Sequence, residues 1–412
     1  MSNSKNQCCI IVGGSHAGGQ LAESTRKSGW QGKILVISDE AYLPYHRPPL
    51  SKTFLLGEQS ADDILIRPAA FYQKLDIEFR LNTRVNELNR VEQKVVLSDG
   101  ETLAYHKLGL TLGARVRQLP MPGADKLGVH YLRTIDDIQG IRAYTGEGMQ
   151  AVIIGGGYIG LETAAALRTK GMSVTILEMM PRILQRVTAP DVAGFYSRLH
   201  AEQGVEIRTG VTVEAIEGDE RVTAVRCHHK TIPADLVIIG AGVIPNVELA
   251  EQAGLNVECG GGIMVDEYGV TSDPDIVAAG DCAWHYNSIY DRWLRLESVP
   301  NALDQARVAG ATICGERKSA NPLPWFWSDQ YDVKLQIAGL SQGFDNVVIR
   351  GDIDTGREFA AFYFKADTLL AVDAINMPMA FMLGKKMIAE GTQLDKSQLA
   401  DLDVDLKSLL KK

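Results

Sequence analysis

CIIVGGSHAGGQLAESTRKSG (9–29) and AVIIGGGYIGLETAAALRTKG (151–171) follow one pattern. Each segment has an apolar run, a glycine-rich turn and a helical stretch that ends in glycine. The apolar runs predict buried strands, and each turn places backbone N–H groups at the start of a helix, where they can bind a pyrophosphate. The first glycines, Gly13 and Gly155, are 142 residues apart, which is too long for a solenoid repeat and indicates a duplicated α/β domain.

The correspondence between the two halves continues after the turns. The matched segments are the predicted second strands GKILVISDE (32–40) and MSVTILEMM (172–180), the antiparallel ribbons at 85–100 and 213–230, and the closing strands LGLTLGA (108–114) and LVIIGAG (236–242). The fold class predicted from this order is α/β, with two Rossmann-like dinucleotide-binding domains.

The second turn satisfies G-x-G-x-x-G in full, whereas the first has Ser15 at the middle position. Glycine permits the tight turn and the close approach of a phosphate, and serine is small enough to be tolerated there. A glycine-rich structural turn is the alternative for either segment. The predicted contacts to the two dinucleotides are Gly13, Ser15, His16 and Gly18 in the first half, and Gly155, Gly157, Tyr158, Ile159, Gly160 and Gly242 in the second.

An acidic residue at the end of the second strand binds ribose hydroxyls in such domains. Asp39 lies 26 residues after Gly13, and Glu178 lies 23 residues after Gly155. Glu178 would repel a 2′-phosphate, so NADH is predicted as the nucleotide rather than NADPH. Arg182 is close enough in the sequence to leave some use of NADPH open.

A third motif, TSDPDIVAAGDCA (271–283), predicts a strand that ends at Gly280 and Asp281. A carboxylate just after a strand can accept hydrogen bonds from a polyol such as the ribityl chain of FAD. A glycine–aspartate pair is a common turn by itself, and it gains meaning here because it follows two dinucleotide motifs.

The composition narrows the class of protein further. The 412 residues include 42 basic and 51 acidic ones, a net charge of −9 that argues against nucleic-acid binding. The sequence contains no run of eighteen apolar residues, so no membrane span is predicted. The polar start MSNSKNQ has no signal-peptide core, and a cytoplasmic location is therefore predicted. The six cysteines form no C-x-x-C pair, so neither a metal site nor a redox dithiol is predicted, and buried inert thiols are expected at Cys8 and Cys9.

Four segments carry a resemblance to the FAD-dependent ferredoxin reductases of bacterial oxygenase systems, a group of pyridine-nucleotide reductases. The segments are YHRPPLSK (45–52), GGGYIGLE (155–162), RWLRLESVPNALDQAR (292–307) and PWFWSDQYDVKLQIAGL (324–340). The resemblance runs from about residue 8 to about residue 390. It implies a glutathione-reductase-like plan, with an FAD domain at 1–114 and 246–324, an NADH domain at 115–245 and a C-terminal interface domain at 325–412. Alternating apolar residues and a helical stretch at 378–390 predict that the last domain is α+β.

The same resemblance implies the flavin contacts, which are Ala17, Asp39, Arg47, Lys52, Val85, Arg133, Asp281 and Val299. Leu112 departs from the family, where a small residue is common. Hydride would pass from nicotinamide C4 to flavin N5, a reaction that the cofactors themselves carry. The resemblance places Glu162 facing Lys52 and the flavin. The two residues are predicted to tune charge at the flavin, because a cation near N5 stabilises the anionic reduced ring. Tyr158 is predicted to cover the flavin until NADH displaces it, and Ser51 to cap the helix that follows Pro48 and Pro49.

The electron acceptor implied by the resemblance is a 2Fe–2S ferredoxin that serves a cytochrome P450 or a Rieske oxygenase. Trp327 is predicted at the flavin edge, on the exit side. Arg67 and Arg307 match basic positions of the family and are predicted to contact the acidic ferredoxin, with Lys385 and Lys386 as further candidates. The predicted oligomeric state is a monomer or a weak dimer.

Two other functions compete with this one. An NADH oxidase or peroxidase is the second enzyme hypothesis, but its peroxide-handling relatives need a cysteine in the early helix, and it is absent here. A redox-sensing FAD- and NAD-binding protein is the third hypothesis. Relatives of that kind carry a basic surface or extensions, which this sequence lacks.

Overall fold

A computed structural model describes residues 6–228, 230–319 and 321–410. The polar residues 1–5, on which part of the prediction of location depends, lie outside it. The chain forms two compact units, and each is made of several segments. The first unit contains residues 6–46, 61–115 and 243–324, and the second contains 47–60, 116–242 and 325–410. Residues 47–60, predicted as part of the FAD domain, belong to the second unit by their contacts, so the predicted boundaries do not coincide fully with the units.

The first unit is built on a five-stranded parallel sheet. Its strands in spatial order are Ile276–Ala278, Lys107–Leu110, Cys8–Val12, Lys33–Ile37 and Ile77–Arg80. Numbered along the chain, this order is 5-4-1-2-3, which is the order of a dinucleotide-binding half. The strands are apolar on both faces because helices and further sheets cover them.

The remaining elements of the first unit complete its core. A three-stranded antiparallel sheet consists of Val85–Asn89, Lys94–Leu97 and Thr102–Ala104, and a four-stranded sheet of Val257–Glu258, Gly262–Val265, Ala283–Asn287 and Arg292–Leu294. The helices are His16–Lys27, Ala69–Lys74, Glu248–Gln252 and Val299–Ile313. Helices His16–Lys27 and Val299–Ile313 pack together so closely that a Cβ on Gly310 would lie 2.6 Å from the Cβ of Ser24.

The second unit repeats the plan. Its parallel sheet has the order Val205–Thr209, Ser173–Glu178, Gln150–Ile154, Leu236–Ile239 and Val129–Tyr131, beside an antiparallel sheet of Val213–Glu217, Ala224–Cys227 and Lys230–Pro233. The helices of this part are Thr53–Leu56, Ile135–Arg142, Tyr158–Thr169 and Pro190–Glu202, with a 3₁₀ helix at Pro48–Ser51. The predicted duplication of strands, turns and ribbons is therefore confirmed.

The C-terminal part of the second unit is an antiparallel sheet covered by a helix. The strands in spatial order are Trp325–Gln330, Val333–Gly339, Thr368–Ile375, Phe359–Lys365 and Asn346–Gly351. Helix Pro378–Glu390 has the bounds expected from the sequence, and it is followed by helix Lys396–Ala400 and the 3₁₀ helix Leu406–Leu410. The predicted α+β class is confirmed for this part. Short strands Ala114–Val116 and Val243–Pro245 lie where the chain leaves the first unit and where it returns.

No helix within 6–228, 230–319 and 321–410 is long and apolar enough to cross a membrane.

Candidate functional site

The first glycine turn has a geometry that only glycine allows. Gly13 has φ +108°, and a Cβ at this position would lie 2.1 Å from the carbonyl oxygen of Thr111. A Cβ on Gly18 would lie 1.9 Å from the carbonyl oxygen of Gly13. The turn is therefore pressed against the neighbouring strand while helix His16–Lys27 begins at the next residues, as a phosphate-binding turn requires.

A cavity of about 500 Å³ opens beside this turn. Gly13 contributes to its wall, together with the predicted flavin contacts Asp39 and Val85. Leu112 also lines the cavity, so this departure from the family pattern lies where a bound adenosine would touch it. The open space and an exposed carboxylate at its edge fit the adenosine half of FAD.

The third motif folds against the first turn. A Cβ on Gly280 would be 3.1 Å from the side chain of Ala17, and the Gly280 N–H donates to Gln305 at 2.8 Å. Asp281 follows directly and is half-buried, and Val299 is the first residue of the helix that Ser298 caps. The first unit thus brings Ala17 and Gly280 together.

The second turn differs from the first by being open. Gly155 has φ +117°, and a Cβ there would lie 2.4 Å from the Gly240 carbonyl oxygen. By contrast, no heavy atom within the described residues comes within 4 Å of a Cβ built on Gly157, apart from its own chain neighbours. Ile159 is 46% exposed, and Gly157 and Gly242 are exposed too. This turn leaves room for a pyrophosphate at the start of helix Tyr158–Thr169.

Glu178 is fixed at the edge of the second turn. One carboxylate oxygen, Oε2, accepts a hydrogen bond from the Gly156 N–H at 2.7 Å, and the other, Oε1, accepts one from the Met180 N–H at 2.7 Å. The carboxylate is therefore held beside the position that a nucleotide ribose takes in a Rossmann-like domain.

Arg182 bears on the choice between NADH and NADPH. Its Nη2 donates to the carbonyl oxygens of Gln185 at 3.1 Å and Thr188 at 2.9 Å, and its Nη1 is buried. The guanidinium is thus directed into its own loop. This orientation favours NADH, because a 2′-phosphate needs a cation turned toward the nucleotide.

Lys52 and Glu162 form a mostly buried ion pair in the second unit. The Lys52 Nζ is 2.6 Å from Glu162 Oε2, and the side chains are 20% and 6% exposed. Lys52 also contacts the carbonyl oxygen of Pro48 at 3.4 Å. The sequence predicted that these two residues meet, and the structure brings them together across 110 positions of the chain.

Two serine hydroxyls complete the surroundings of Glu162. Ser51 donates to Oε2 and Ser328 donates to Oε1, each at 2.6 Å. The predicted helix cap by Ser51 is wrong, because Lys52 occupies the N-cap position of helix Thr53–Leu56 and the Ser51 hydroxyl is engaged by Glu162. Two hydroxyl donors and one ammonium thus surround this buried carboxylate, and both of its oxygens have partners.

A chain of hydrogen bonds continues behind Ser328. Gln330 donates through Nε2 to the Ser328 hydroxyl at 3.2 Å, and its Oε1 lies 2.8 Å from His200 Nε2. Because this Oε1 can only accept, His200 carries a proton on Nε2. Burial lowers the pKa of His200, so the ring stays neutral. Hydrogen bonds are then donated in one direction, from His200 to Gln330, from Gln330 to Ser328 and from Ser328 to Glu162.

The predicted exit residue Trp327 lies on strand Trp325–Gln330 and is half-buried. Its ring centroid is 5.5 Å from that of Trp325, which in turn contacts Phe381 and lies 5.2 Å from the Lys385 Nζ. Phe326 points to the other face, where its ring packs on Tyr158 at 5.0 Å. The strand therefore presents tryptophan on one face and Phe326 on the other.

The predicted basic residues lie in different surroundings. Arg67 is exposed, with its guanidinium 5.1 Å from the centroid of the Phe71 ring. Arg307 is also exposed, and it pairs with Asp304 at 2.6 Å, so part of its charge is compensated. Arg47 donates to the carbonyl oxygen of Arg133 at 2.6 Å, which joins two predicted flavin contacts in the second unit.

Of the two cysteines that the sequence predicts as buried and inert, Cys9 is buried and Cys8 is only half-buried, and both lie in strand Cys8–Val12. Cys9 and Cys282 are fully buried, and burial raises the pKa of the Cys9 thiol and brings that of Cys282 to about 11. Thiolates are the reactive form, so these sulfurs are poorly suited to redox exchange.

Comparison with known proteins identifies the family. Residues 8–306 match the model of the pyridine nucleotide-disulphide oxidoreductases, and residues 325–410 match the reductase C-terminal model. The chain belongs to the pyridine nucleotide-disulphide oxidoreductase family. The predicted enzyme class, an FAD-containing oxidoreductase, and the predicted cofactors, FAD and NADH, are confirmed by this membership together with the relatives.

The relatives include several ferredoxin reductases. The chain is 43% identical to putidaredoxin reductase of Pseudomonas putida over 98% of this chain and 97% of that protein. It is 41% identical to rhodocoxin reductase of Rhodococcus erythropolis, over 97% and 93% of the two chains. The crystal structure of the covalent putidaredoxin reductase–putidaredoxin complex matches with a TM-score of 0.95 and 43% identity, covering 98% of each chain. The predicted resemblance and fold class are confirmed.

Sequence reasoning missed four polar residues around Glu162 and behind it. Ser328, Gln330 and His200 carry no signal that separates them from ordinary core or surface residues, and Ser51 was assigned a different role. One local signal existed: Ser328 and Gln330 alternate with Trp327 and Asp329, so that on a strand such as Trp325–Gln330 they share one face.

Proposed function

We propose that the protein transfers electrons from NADH through FAD to a 2Fe–2S ferredoxin, which serves a cytochrome P450 or a Rieske oxygenase. The observation that carries this proposal is the buried Lys52–Glu162 pair, held by two serine hydroxyls directly after the second dinucleotide turn. No cysteine lies between residues 10 and 226, so the segments that bear this pair offer no disulfide as an electron acceptor. Electrons must then leave to an external carrier, and the relatives named as ferredoxin reductases indicate its class.

Different parts of the chain would bind the two nucleotides. FAD would be held by 1–114 and 246–324, with Gly13, Asp39 and Asp281 as its principal contacts, and NADH by 115–245. FAD, when bound, supplies the chemistry that accepts a hydride and releases single electrons. Lys52 supplies a positive charge at the ring, and Glu162 orients the Lys52 ammonium and compensates its charge.

Residues 325–412 would form the interface domain for the ferredoxin. Electron-transfer partners bury less than about 1,200 Å² in all, so charge steering rather than area sets the encounter rate. Arg67 and Arg307 are the proposed contacts to an acidic ferredoxin, and Trp327 is the proposed residue at the electron exit. The protein would work in the cytoplasm as a monomer or a weak dimer, and light scattering on the purified holoprotein tests the oligomeric state.

Reduction of cytochrome c by the purified yellow holoprotein tests the proposed function. With NADH, the rate is expected to rise at least tenfold when a 2Fe–2S ferredoxin is added, and NADPH is expected to support a much lower rate. Glu206→Gln changes an exposed side chain on strand Val205–Thr209 of the second unit, and this variant is expected to give the same rates as the wild type. A rate that does not depend on ferredoxin would contradict the proposal and favour an NADH oxidase.

A further inference from the structure

Asp373 lies in the middle of the C-terminal sheet, where a charged residue is unusual. The strand register pairs Phe326 with Ile337, Ile337 with Asp373, and Asp373 with Ala361. Residues directly opposite each other in adjacent strands point to the same face, so Asp373 shares the face of Phe326. Since the ring of Tyr158 packs on Phe326, this face is turned toward helix Tyr158–Thr169.

Three polar atoms on this face are buried without a hydrogen-bond partner among the described residues. They are Asp373 Oδ1, the hydroxyl of Tyr158 and the hydroxyl of Tyr196 on helix Pro190–Glu202. The other oxygen of Asp373, Oδ2, accepts a hydrogen bond from Tyr363 at 2.5 Å, and the Tyr363 oxygen accepts one from the Ala189 N–H at 3.1 Å.

The three atoms act on one another electrostatically. Burial, and after it the charge of Asp373, raises the pKa of Tyr158 and of Tyr196, and Glu162 contributes to both. The titratable groups that face Asp373 are therefore Tyr363 on the adjacent strand, Tyr158 and Glu162 on one helix, and Tyr196 on another. No cation among the described residues forms an ion pair with Asp373 within 4.0 Å, so its charge is balanced only by hydrogen bonds.

Buried polar groups in folded proteins almost always have a partner, and where the protein supplies none, an ordered water usually does. Three acceptor or donor atoms that influence one another electrostatically, from a strand and two helices, could provide the two to four partners that a buried water needs. Water bridges of this kind are nearly as favourable as direct hydrogen bonds.

We propose that Tyr158, Tyr196 and Asp373 enclose bound water, and that Asp373 acts through it as a positioning residue for Tyr158 at the NADH turn. The inference rests on the proposed function for the assignment of that turn to NADH. Tyr158 directly follows Gly157, so water that holds its hydroxyl also holds its ring at the entrance of the open turn. A nucleotide that displaces the ring must break this hydrogen-bonded cluster.

The protonation state of Asp373 determines how firmly the hydrogen-bonded cluster holds the Tyr158 side chain. An ionised carboxylate accepts hydrogen bonds from water more strongly than a protonated one does, so it holds Tyr158 more firmly. Burial raises the pKa of Asp373 to about 7, against a lowering effect of the Tyr363 hydrogen bond. The change of state therefore occurs near neutral pH, and nucleotide affinity is expected to fall as the pH rises through this range.

Binding of NAD⁺ to the holoprotein, measured by calorimetry between pH 6 and pH 8.5, tests the inference without any ferredoxin. In the wild type, Kd is expected to rise about three- to tenfold across this range. In Asp373→Asn and in Tyr196→Phe, the rise is expected to be less than twofold. Tyr144→Phe, whose ring packs on His130 in the same unit, is the matched control and should behave as the wild type.

An unchanged pH profile in Asp373→Asn would overturn the inference, and so would a high-resolution crystal structure in which no water contacts the three atoms. Tyr196→Phe keeps the test decisive if Asp373→Asn does not fold. Infrared spectroscopy gives a readout independent of nucleotide binding, because the band of a protonated buried carboxyl should be present at pH 6 and absent in Asp373→Asn. If NAD⁺ did not bind at all while that band titrated near neutral pH, the proposed function would fail but the buried acid would stand.

Discussion

The Glu162 carboxylate has an environment that few surface glutamates have. It meets one ammonium and two hydroxyls, and these come from two separate segments of the chain, residues 51–52 and the strand that contains Ser328. Removing one member of a buried pair leaves the other charge desolvated, whereas removing both does not. We therefore expect Glu162 to contribute to stability, apart from its proposed role at the flavin.

Glu162→Gln is expected to lower the free energy of unfolding by about 2–4 kcal/mol, because Lys52 keeps its charge without a counterion. Urea unfolding of the holoprotein measures the effect. The exposed control Glu206→Gln should cost less than about 1 kcal/mol. The double variant Glu162→Gln/Lys52→Met should recover part of the loss, and a double variant with strictly additive losses would show that the two side chains are not coupled.

The raised pKa of Asp373 leads to a prediction about the stability of the fold, separate from nucleotide binding. Its pKa is raised to about 7 in the folded protein, from an ordinary value near 3.8. Between these values the folded chain holds a proton that the unfolded chain has lost, so this group favours folding at low pH and loses that contribution as the pH rises through 7.

Asp373→Asn is therefore expected to be more stable than the wild type at pH 8.5, by an amount that shrinks toward pH 6. A full shift of about 3 units corresponds to about 4 kcal/mol, which is an upper bound for the pH-dependent part. Melting temperatures of both proteins across the pH range measure it, and the difference between them cancels the histidine contributions. A difference that does not vary with pH would contradict the raised pKa.

At the scale of elements, the last segment of the chain is held by one buried arginine. Arg350, on strand Asn346–Gly351, is 6% exposed, and its guanidinium donates to four carbonyl oxygens. The acceptors are Leu399, Asp401, Leu402 and Val404. These carbonyls lie at the end of helix Lys396–Ala400 and directly after it, where the helical hydrogen-bond pattern ends. The arginine therefore supplies donors to acceptors that the helix itself no longer satisfies.

Arg350→Met is expected to loosen residues 395–410 at a cost of about 2–4 kcal/mol for local opening, since several buried carbonyls lose their donor. Hydrogen exchange resolved by mass spectrometry measures this, with the largest change in that segment. Arg357→Met is the control, because Arg357 is 36% exposed and forms surface pairs with Asp332 and Glu202. Equal protection of the segment in the wild type and in Arg350→Met would show that other contacts hold it.

At the scale of the whole molecule, the net charge of −9 opposes an acidic partner, so local basic groups must outweigh it. Arg67 and Arg307 both belong to the first unit and are both exposed. Arg67 has no carboxylate within 4.0 Å among the described residues, whereas Arg307 is partly compensated by Asp304.

Arg67→Glu and Arg307→Glu are expected to lower the second-order rate of ferredoxin reduction about tenfold at low ionic strength. The difference from the wild type should shrink as salt is added, because the Debye length falls to about 8 Å at 0.15 M. Stopped-flow kinetics at several salt concentrations measure both effects. Lys230→Glu, an exposed change on an antiparallel strand of the second unit, is the control, and an equal loss in it would indicate net charge rather than a local dock.

The sequence predicted the duplicated fold from local features, since glycine turns, apolar strands and acidic strand ends depend on backbone geometry. It also paired Lys52 with Glu162, but only through resemblance to a family. The surroundings of that pair depended on the tertiary structure, because Ser51 and Ser328 reach Glu162 from 111 and 166 residues away. Asp373 gave no local sign of its raised pKa, because an aspartate in an apolar strand acquires it only when packing removes the carboxyl from bulk water, an effect that here outweighs the lowering by the Tyr363 hydrogen bond.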